Sequence, residues 1–344
     1  MDPIDLTLVP QTDPTEIYRY RDGIYASDIL IVGVVWLDLF TWLSDHPSDF
    51  DSICRRFELA ERPADVMLTA FAAMGLLTRA NGTFELTTLA REHLVRGSPW
   101  NLVPYFASLK DRPVCQDLLK VLRTGKPANW GSFKDTQAWA QAMSEPAFAA
   151  QFTAAMDCRG VYLAQAVAKN LDCSRRKRLL DIGVGSGIYS CSLVAHHPHL
   201  TATVFEKPPV DRVCADAIAR RGYATRVSVV AGDMFAEPLP EGFDLHLFSN
   251  VLHDWEEGQV RALLASSFRS LAPGGLLLVH DAHINAEKTG PLPVAEYSVQ
   301  LMHVTEGKCY ALGEMEAYLT EAGFVEMRHV LTAADRSLVT ARKL

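Results

Sequence analysis

The run Asp181-Ile182-Gly183-Val184-Gly185-Ser186-Gly187 puts glycine at alternate positions, directly after an apolar stretch and before a segment, 188–195, of helical composition. Glycines so spaced let the backbone turn tightly and come close to a ligand, and the helix start behind them supplies free N–H groups. That is a nucleotide-type site. The spacing is Gly-x-Gly-x-Gly, without the third glycine of the dinucleotide pattern, which disfavours a nicotinamide oxidoreductase. Glu206 closes the next apolar run, where a carboxylate can accept hydrogen bonds from both hydroxyls of a ribose. One strand later, Gly232-Asp233-Met234-Phe235 offers a carboxylate for an exocyclic amine and apolar side chains for an adenine face. After the fourth apolar run stands Ser249-Asn250-Val251-Leu252-His253-Asp254-Trp255. A histidine at such a turn is a candidate general base, because its ordinary pKa is near neutrality. The following run ends at His280-Asp281, from which a carboxylate is expected to orient the His253 imidazole.

These residues need a scaffold that brings strand ends together. Residues 178–182, 201–205, 227–230, 243–248 and 275–279 are short apolar runs separated by helix-length segments, the pattern of a parallel sheet covered on both faces. Upstream the chain reads helical, with Phe148, Phe152 and Met156 recurring every four residues. Within the first hundred residues two helical segments precede a hairpin that turns at Asn81-Gly82, which is a winged-helix order. The polar, basic stretch 172–178 marks the approach to the second domain, and 344 residues, at roughly 150 per domain, agree with two.

Composition narrows the partners. With 49% hydrophobic and 22% charged residues the chain is globular, and a formal charge of −8 opposes attraction to polyphosphate. The would-be recognition helix, 62–74, carries Arg62 and otherwise mostly apolar residues, so it offers little to phosphates or base edges. The seven cysteines are scattered, with no pair or cluster at zinc spacing, so no metal is expected and a reducing cytoplasm fits. The N-terminus lacks the pattern of a signal peptide, and the longest apolar stretch, residues 29–37, is far short of a bilayer span.

In the segments 180–187, 232–235, 251–255, 271–275 and 321–324 the chain resembles the class I S-adenosylmethionine-dependent methyltransferases of the caffeate, hydroxyindole and polyketide O-methyltransferase family. Val251-Leu252-His253-Asp254-Trp255 is the most family-specific of these steps, and the likeness runs nearly end to end. The resemblance implies an α/β fold: a Rossmann-like, mostly parallel sheet preceded by an α-helical, winged-helix-like dimerisation domain. The expected boundaries are 1–105 for dimerisation, 106–174 for a helical connector and 175–344 for catalysis. It implies a homodimer acting on a small-molecule methyl acceptor. S-adenosylmethionine would be held by Asp181, Gly183, Gly185, Gly187, Glu206, Asp233, Met234, Ser249 and Asn250. Phe148, Phe152, Met156, Trp255, Met302 and His303 would face the acceptor, with His253 and Asp281 catalytic.

Two departures stand out. The family usually has Glu where this chain has Asp281, a shorter acid expected to reach His253 poorly or through water. Many relatives also place a second acid where this chain reads Lys308-Cys309-Tyr310-Ala311. O-methylation with His253 as base is the leading expectation. S-methylation of a thioether acid, such as a methylthio hydroxy acid, needs no base and is the second. A DNA-binding regulator built on the winged region is the rival from another class.

Overall fold

A computed structural model describes residues 5–128 and 145–344. The described residues form two compact units, both discontinuous in sequence. One draws on Ile17–Ala138 and Ile284–Gly313, the other on Met1–Glu16, Trp139–His283 and Glu314–Leu344.

The first unit is helical. The apolar stretch at residues 29–37 becomes the helix Ala26–Ile31, running into a π-turn at Val32–Trp36, and its side chains join Phe40, Phe71, Leu118 and Met302 in one core. Gly33 is required there, since a Cβ would lie 2.5 Å from the Phe71 ring. The helices Phe50–Phe57 and Glu61–Ala73 lie between β1 (Ser48–Asp49) and the hairpin of β2 (Leu77–Ala80) and β3 (Thr83–Leu86), and the three strands form a small sheet in the order β1-β3-β2. Asn81 and Gly82 both take positive φ, the geometry a two-residue hairpin turn demands.

Glu61 of the helix Glu61–Ala73 is exposed, but Arg62 and Asp65 are engaged internally. Arg62 donates to the Gly307 and Gly125 carbonyls at 2.7 and 2.9 Å, and Asp65 accepts from Lys288 at 2.8 Å and Lys308 at 2.6 Å. Burial alone would raise the Asp65 pKa, but the two ammonium groups outweigh it and hold the carboxyl below its ordinary value. A helix whose arginine is spent on internal carbonyls has little to present to a phosphate.

The second unit is built on a seven-stranded sheet of β4 (Arg178–Ile182), β5 (Thr201–Glu206), β6 (Val227–Ala231), β7 (Phe243–Ser249), β8 (Leu271–Asp281), β9 (Val325–Leu331) and β10 (Ser337–Arg342). Its order is β6-β5-β4-β7-β8-β10-β9, and only β10 runs against the others. The five expected strands are present. β8 starts four residues early, with a register shift opposite Phe243 and Leu245. The strand order reverses beside β4, so the loop after β4 opens at the sheet's switch point, where such folds bind ligands.

The partition differs from a division near residue 175. The helix Pro146–Asn170 belongs with the sheet: a Cβ on Gly160 would sit 2.4 Å from Ile188 Cγ2, in the helix that follows the glycine loop. Conversely, the buried helix Leu292–Val304, far along the chain, lies in the helical unit.

Candidate active site

Gly183, Gly185 and Gly187 have φ of +71°, +70° and +71°, a left-handed conformation that costs any residue with a Cβ about 1–2 kcal/mol. A Cβ on Gly183 would press on Met234 Sδ at 3.2 Å, whereas one on Gly185 would meet nothing nearer than Thr153 Cγ2 at 3.8 Å. The loop is thus packed beneath Gly183 and open above Gly185. Glu206, at the end of β5, accepts from the Gly185 amide at 2.8 Å and from the Lys207 amide at 2.8 Å. Burial raises its pKa, and those two N–H groups oppose the rise. Asp181 is wholly buried, accepts from Ser190 Oγ at 2.7 Å, and is pushed by burial up to about 7. It ties the strand end to the helix Ile188–His196.

Around this loop the buried atoms Thr153 Oγ1, Asp181 Oδ1, Ser186 Oγ, Ser249 Oγ and Asn250 Oδ1 have no hydrogen-bond partner among the described residues. Each such atom costs about 1–3 kcal/mol, so a cluster of them marks a place built for a polar ligand. Asp233 accepts from Lys207 Nζ at 2.7 Å and from the Phe235 amide at 2.9 Å. Burial would raise its pKa, but these donors together prevail and lower it. The Phe235 ring meets Trp255 edge-on, with centroids 4.6 Å apart. The loop glycines, Glu206, Asp233, Met234, Ser249 and Asn250 therefore occupy the carboxyl ends of adjacent strands, an arrangement that fits an adenosyl ligand carrying a charged tail.

His253 sits in a short 3₁₀ turn, Leu252–Asp254, after Asn250, which takes φ +52° and donates its amide to the His280 carbonyl at 2.8 Å. The ring is 4% exposed. Its Nδ1 lies 2.5 Å from Asp281 Oδ1, and its Nε2 lies 3.5 Å from Asp254 Oδ1. Asp281 thus reaches the imidazole directly, which corrects the expectation of a poor or water-mediated contact. Its Oδ1 also accepts from the Ala282 amide at 2.8 Å. Burial disfavours the imidazolium, yet Asp281 and then Asp254 outweigh it and raise the His253 pKa. The Asp281 carboxyl, despite burial, is held well below its ordinary value by His253.

Phe148 and Phe152 stack with centroids 6.3 Å apart on the helix Pro146–Asn170, and with Met156 they form a half-buried stripe. Met302 and His303 fall in the helical unit. Met302 is fully buried in its core, and His303 packs on Tyr25, ring centroids 4.7 Å apart, with neither ring nitrogen hydrogen-bonded among the described residues.

Several residues escaped the sequence reading. Thr153 lies one position from the aromatic stripe, on the face turned to Gly185. Tyr189 OH accepts from Asn250 Nδ2 at 2.9 Å, and Lys207 holds Asp233. Arg159, seven residues beyond Phe152 on the same helix face, acts on His253 electrostatically and opposes its protonation. Only Lys207, adjacent to Glu206, carried a positional signal.

A family model described as an O-methyltransferase domain matches residues 116–325. The chain is 30% identical over 324 residues to a 3-hydroxy-5-methyl-1-naphthoate 3-O-methyltransferase of Streptomyces sahachiroi, covering 93% of this chain and 92% of that one. It is 30% identical over 337 residues to the tetracenomycin polyketide synthesis 8-O-methyl transferase of Streptomyces glaucescens, covering 96% and 97%. The crystal structure of an O-methyltransferase family 2 protein from Planctomyces limnophilus, in complex with apigenin, superposes with a TM-score of 0.90 at 31% identity, covering all of both chains.

Proposed function

The chain belongs to the O-methyltransferase-domain family and is an S-adenosylmethionine-dependent methyltransferase of small molecules; on that premise we propose that it methylates a hydroxyl of a planar aromatic acceptor, with His253 as general base. The observation that carries this reading is the direct Asp281–His253 contact. A carboxylate on Nδ1 stabilises the imidazolium that forms when Nε2 takes the acceptor's proton. The relatives support the acceptor class, since their names specify a hydroxynaphthoate and a polyketide, and the Planctomyces structure holds a flavone.

When bound, S-adenosylmethionine supplies an activated methyl group on a sulfonium. The residues of this chain do the rest. The glycine loop and the unpartnered Ser249, Asn250 and Thr153 atoms would hold the polar tail, Glu206 the ribose, and Asp233 with Met234 the adenine. Phe148, Phe152, Met156 and Trp255 would flank the acceptor, excluding water and aligning it for in-line displacement.

The helix–helix–hairpin order of the helical unit supports a winged-helix-like dimerisation domain. Ile17, Tyr20, Ile24 and Tyr105 are at least half exposed there, which suits a homodimer interface. Six of the seven cysteines are buried free thiols, compatible with a cytoplasmic location. No single helix among the described residues is long and apolar enough to cross a membrane.

The decisive experiment incubates the protein with isotopically labelled S-adenosylmethionine and a panel of phenols, hydroxy acids and thioethers, and locates the label by mass spectrometry. Label on a phenolic oxygen is expected; label confined to sulfur would refute the proposal. Sedimentation should give the mass of a dimer.

A further inference from the structure

The last two strands do something beyond completing the sheet. β10 enters at Ser337, which pairs across the sheet with Asp281, the final residue of β8. The turn before it is closed by the Thr332 amide donating to the Arg336 carbonyl at 3.0 Å, with Ala334 and Asp335 in positive φ. Two hydroxyls of this hairpin grip His280, the residue before Asp281, and His283, two residues after it. Ser337 Oγ is hydrogen-bonded to His283 Nδ1 at 2.8 Å, and Thr332 Oγ1 to His280 Nε2 at 2.9 Å. His280, His283 and Ser337 are all buried, and the remaining His280 nitrogen, Nδ1, has no partner among the described residues. His280 also accepts, through its carbonyl, the Asn250 amide that starts the turn carrying His253. The contacts therefore close a ring: hairpin to His280, His280 to the His253 turn, His253 to Asp281, and Asp281 through His283 back to the hairpin.

This ring explains how a short acid does the work. With one methylene fewer than Glu, the Asp281 carboxylate has little freedom to seek the imidazole, so its reach depends on where the backbone of the β8 end is held. We propose that the Thr332–Ser337 hairpin turn is a positioning element for the base: its two hydroxyls, through His280 and His283, hold the Asp281 carboxylate within reach of His253. The proposal rests on the reading of His253 as base. His253 faces Asp281 from β8, Asp254 from its own turn and Arg159 from the helix Pro146–Asn170; Asp281 faces His253 and His283. His283 faces Asp281, His329 from β9 and His253; His280 faces Asp281, His283, Arg159 and the buried Arg336 of the hairpin turn.

The test uses full-length Ser337→Ala, Thr332→Val and the conservative Ser337→Thr, each measured for kcat against pH, for S-adenosylmethionine affinity by calorimetry, and for the His253 imidazole titration by NMR in acceptor-free protein. In Ser337→Ala, kcat should fall by about tenfold, the scale of one lost buried hydrogen bond. The His253 titration and the acid limb of kcat should move to lower pH, because the imidazolium loses its carboxylate. Cofactor affinity should hold, and Ser337→Thr should recover both quantities. Thr332→Val should give the same signature, and it decides the matter if Ser337→Ala does not fold. An unchanged His253 titration in a folded variant, or a parallel loss of cofactor affinity, overturns the proposal. His253→Ala separates the premise: wild-type turnover there would remove the base reading, while the NMR titration of the hairpin variants still judges the clamp.

Discussion

At His253 two effects of opposite sign meet: burial favours the neutral ring, while Asp281 and Asp254 favour the imidazolium, and the carboxylates prevail. A base must be neutral to accept a proton, so kcat should rise with pH through the His253 titration and level off above it. Asp281→Asn removes the main stabiliser of the imidazolium, so the limb should shift to lower pH while the plateau drops. A pH profile identical to wild type would exclude Asp281 from this role. His253→Ala should lower kcat by about 10²- to 10⁴-fold, the usual span of general base catalysis, and leave cofactor affinity near normal in calorimetry. Asp281 reaching the ring directly, against expectation, makes that outcome sharper, since no water separates the pair.

At the scale of elements, the glycine loop and the helix beside it are tuned differently. Gly185 is open above, so Gly185→Ala would add a methyl to the ligand's side and force a side chain into a left-handed backbone. S-adenosylmethionine affinity should fall at least about tenfold, with the melting temperature lowered by only a few degrees, since the backbone penalty is about 1–2 kcal/mol. Equal affinity for the two proteins would mean that the ligand does not pass over this residue. Gly160, by contrast, is a packing glycine against Ile188. Gly160→Ala gains helix propensity, about 1 kcal/mol, but incurs overpacking of about 1–3 kcal/mol, so a modest net destabilisation is expected in thermal unfolding. The same displacement would tilt the stripe of Phe152 and Met156, raising KM for the acceptor more than that for the cofactor.

For the molecule as a whole, buried histidines set the response to acid. Burial depresses the pKa of His246 to about 3, His280 to about 3 and His283 to about 4, so all three are neutral in the folded state. Each contributes stability that is present above its unfolded pKa of 6.5 and is lost as pH falls toward those folded values. Asp181 acts with the opposite sign: burial raises it to about 7, so its contribution is present below 3.8 and disappears as pH rises through 7. His197, His303 and His329 are also lowered by burial, against His253, Glu206, Asp254 and Glu296, which are raised like Asp181. The large drops at His246, His280 and His283 tip this balance to a net loss on acidification below pH 6.5, at up to about 1.4 kcal/mol per pH unit for each titrating group. Urea midpoints measured from pH 7.5 to 4.5 should fall steeply. His246→Gln, which keeps a polar group near Ser267 and lies apart from His253 and Asp281, should flatten the slope; an unaltered slope would remove His246 from the balance.

The strands β4 to β8 and the residues at their ends were legible because a buried parallel strand writes itself as a continuous apolar run, and the turn residues that follow carry the chemistry. The glycine loop, Glu206, Asp233, His253 and Asp281 all stand at such ends. The terminal strands were not. β9 is exposed at nearly every position, so it shows no alternation, and no local pattern announces that β10 runs against its neighbours. Nor does local pattern reveal Thr153 above the glycine loop, Lys207 on Asp233, or the gathering of residues 284–313 with the N-terminal helices. Patterning along a chain says which face of an element seeks burial. The distance between side chains 28 residues apart, as in His253 and Asp281, depends on register and close packing across neighbouring strands, and these are settled only when the whole sheet assembles.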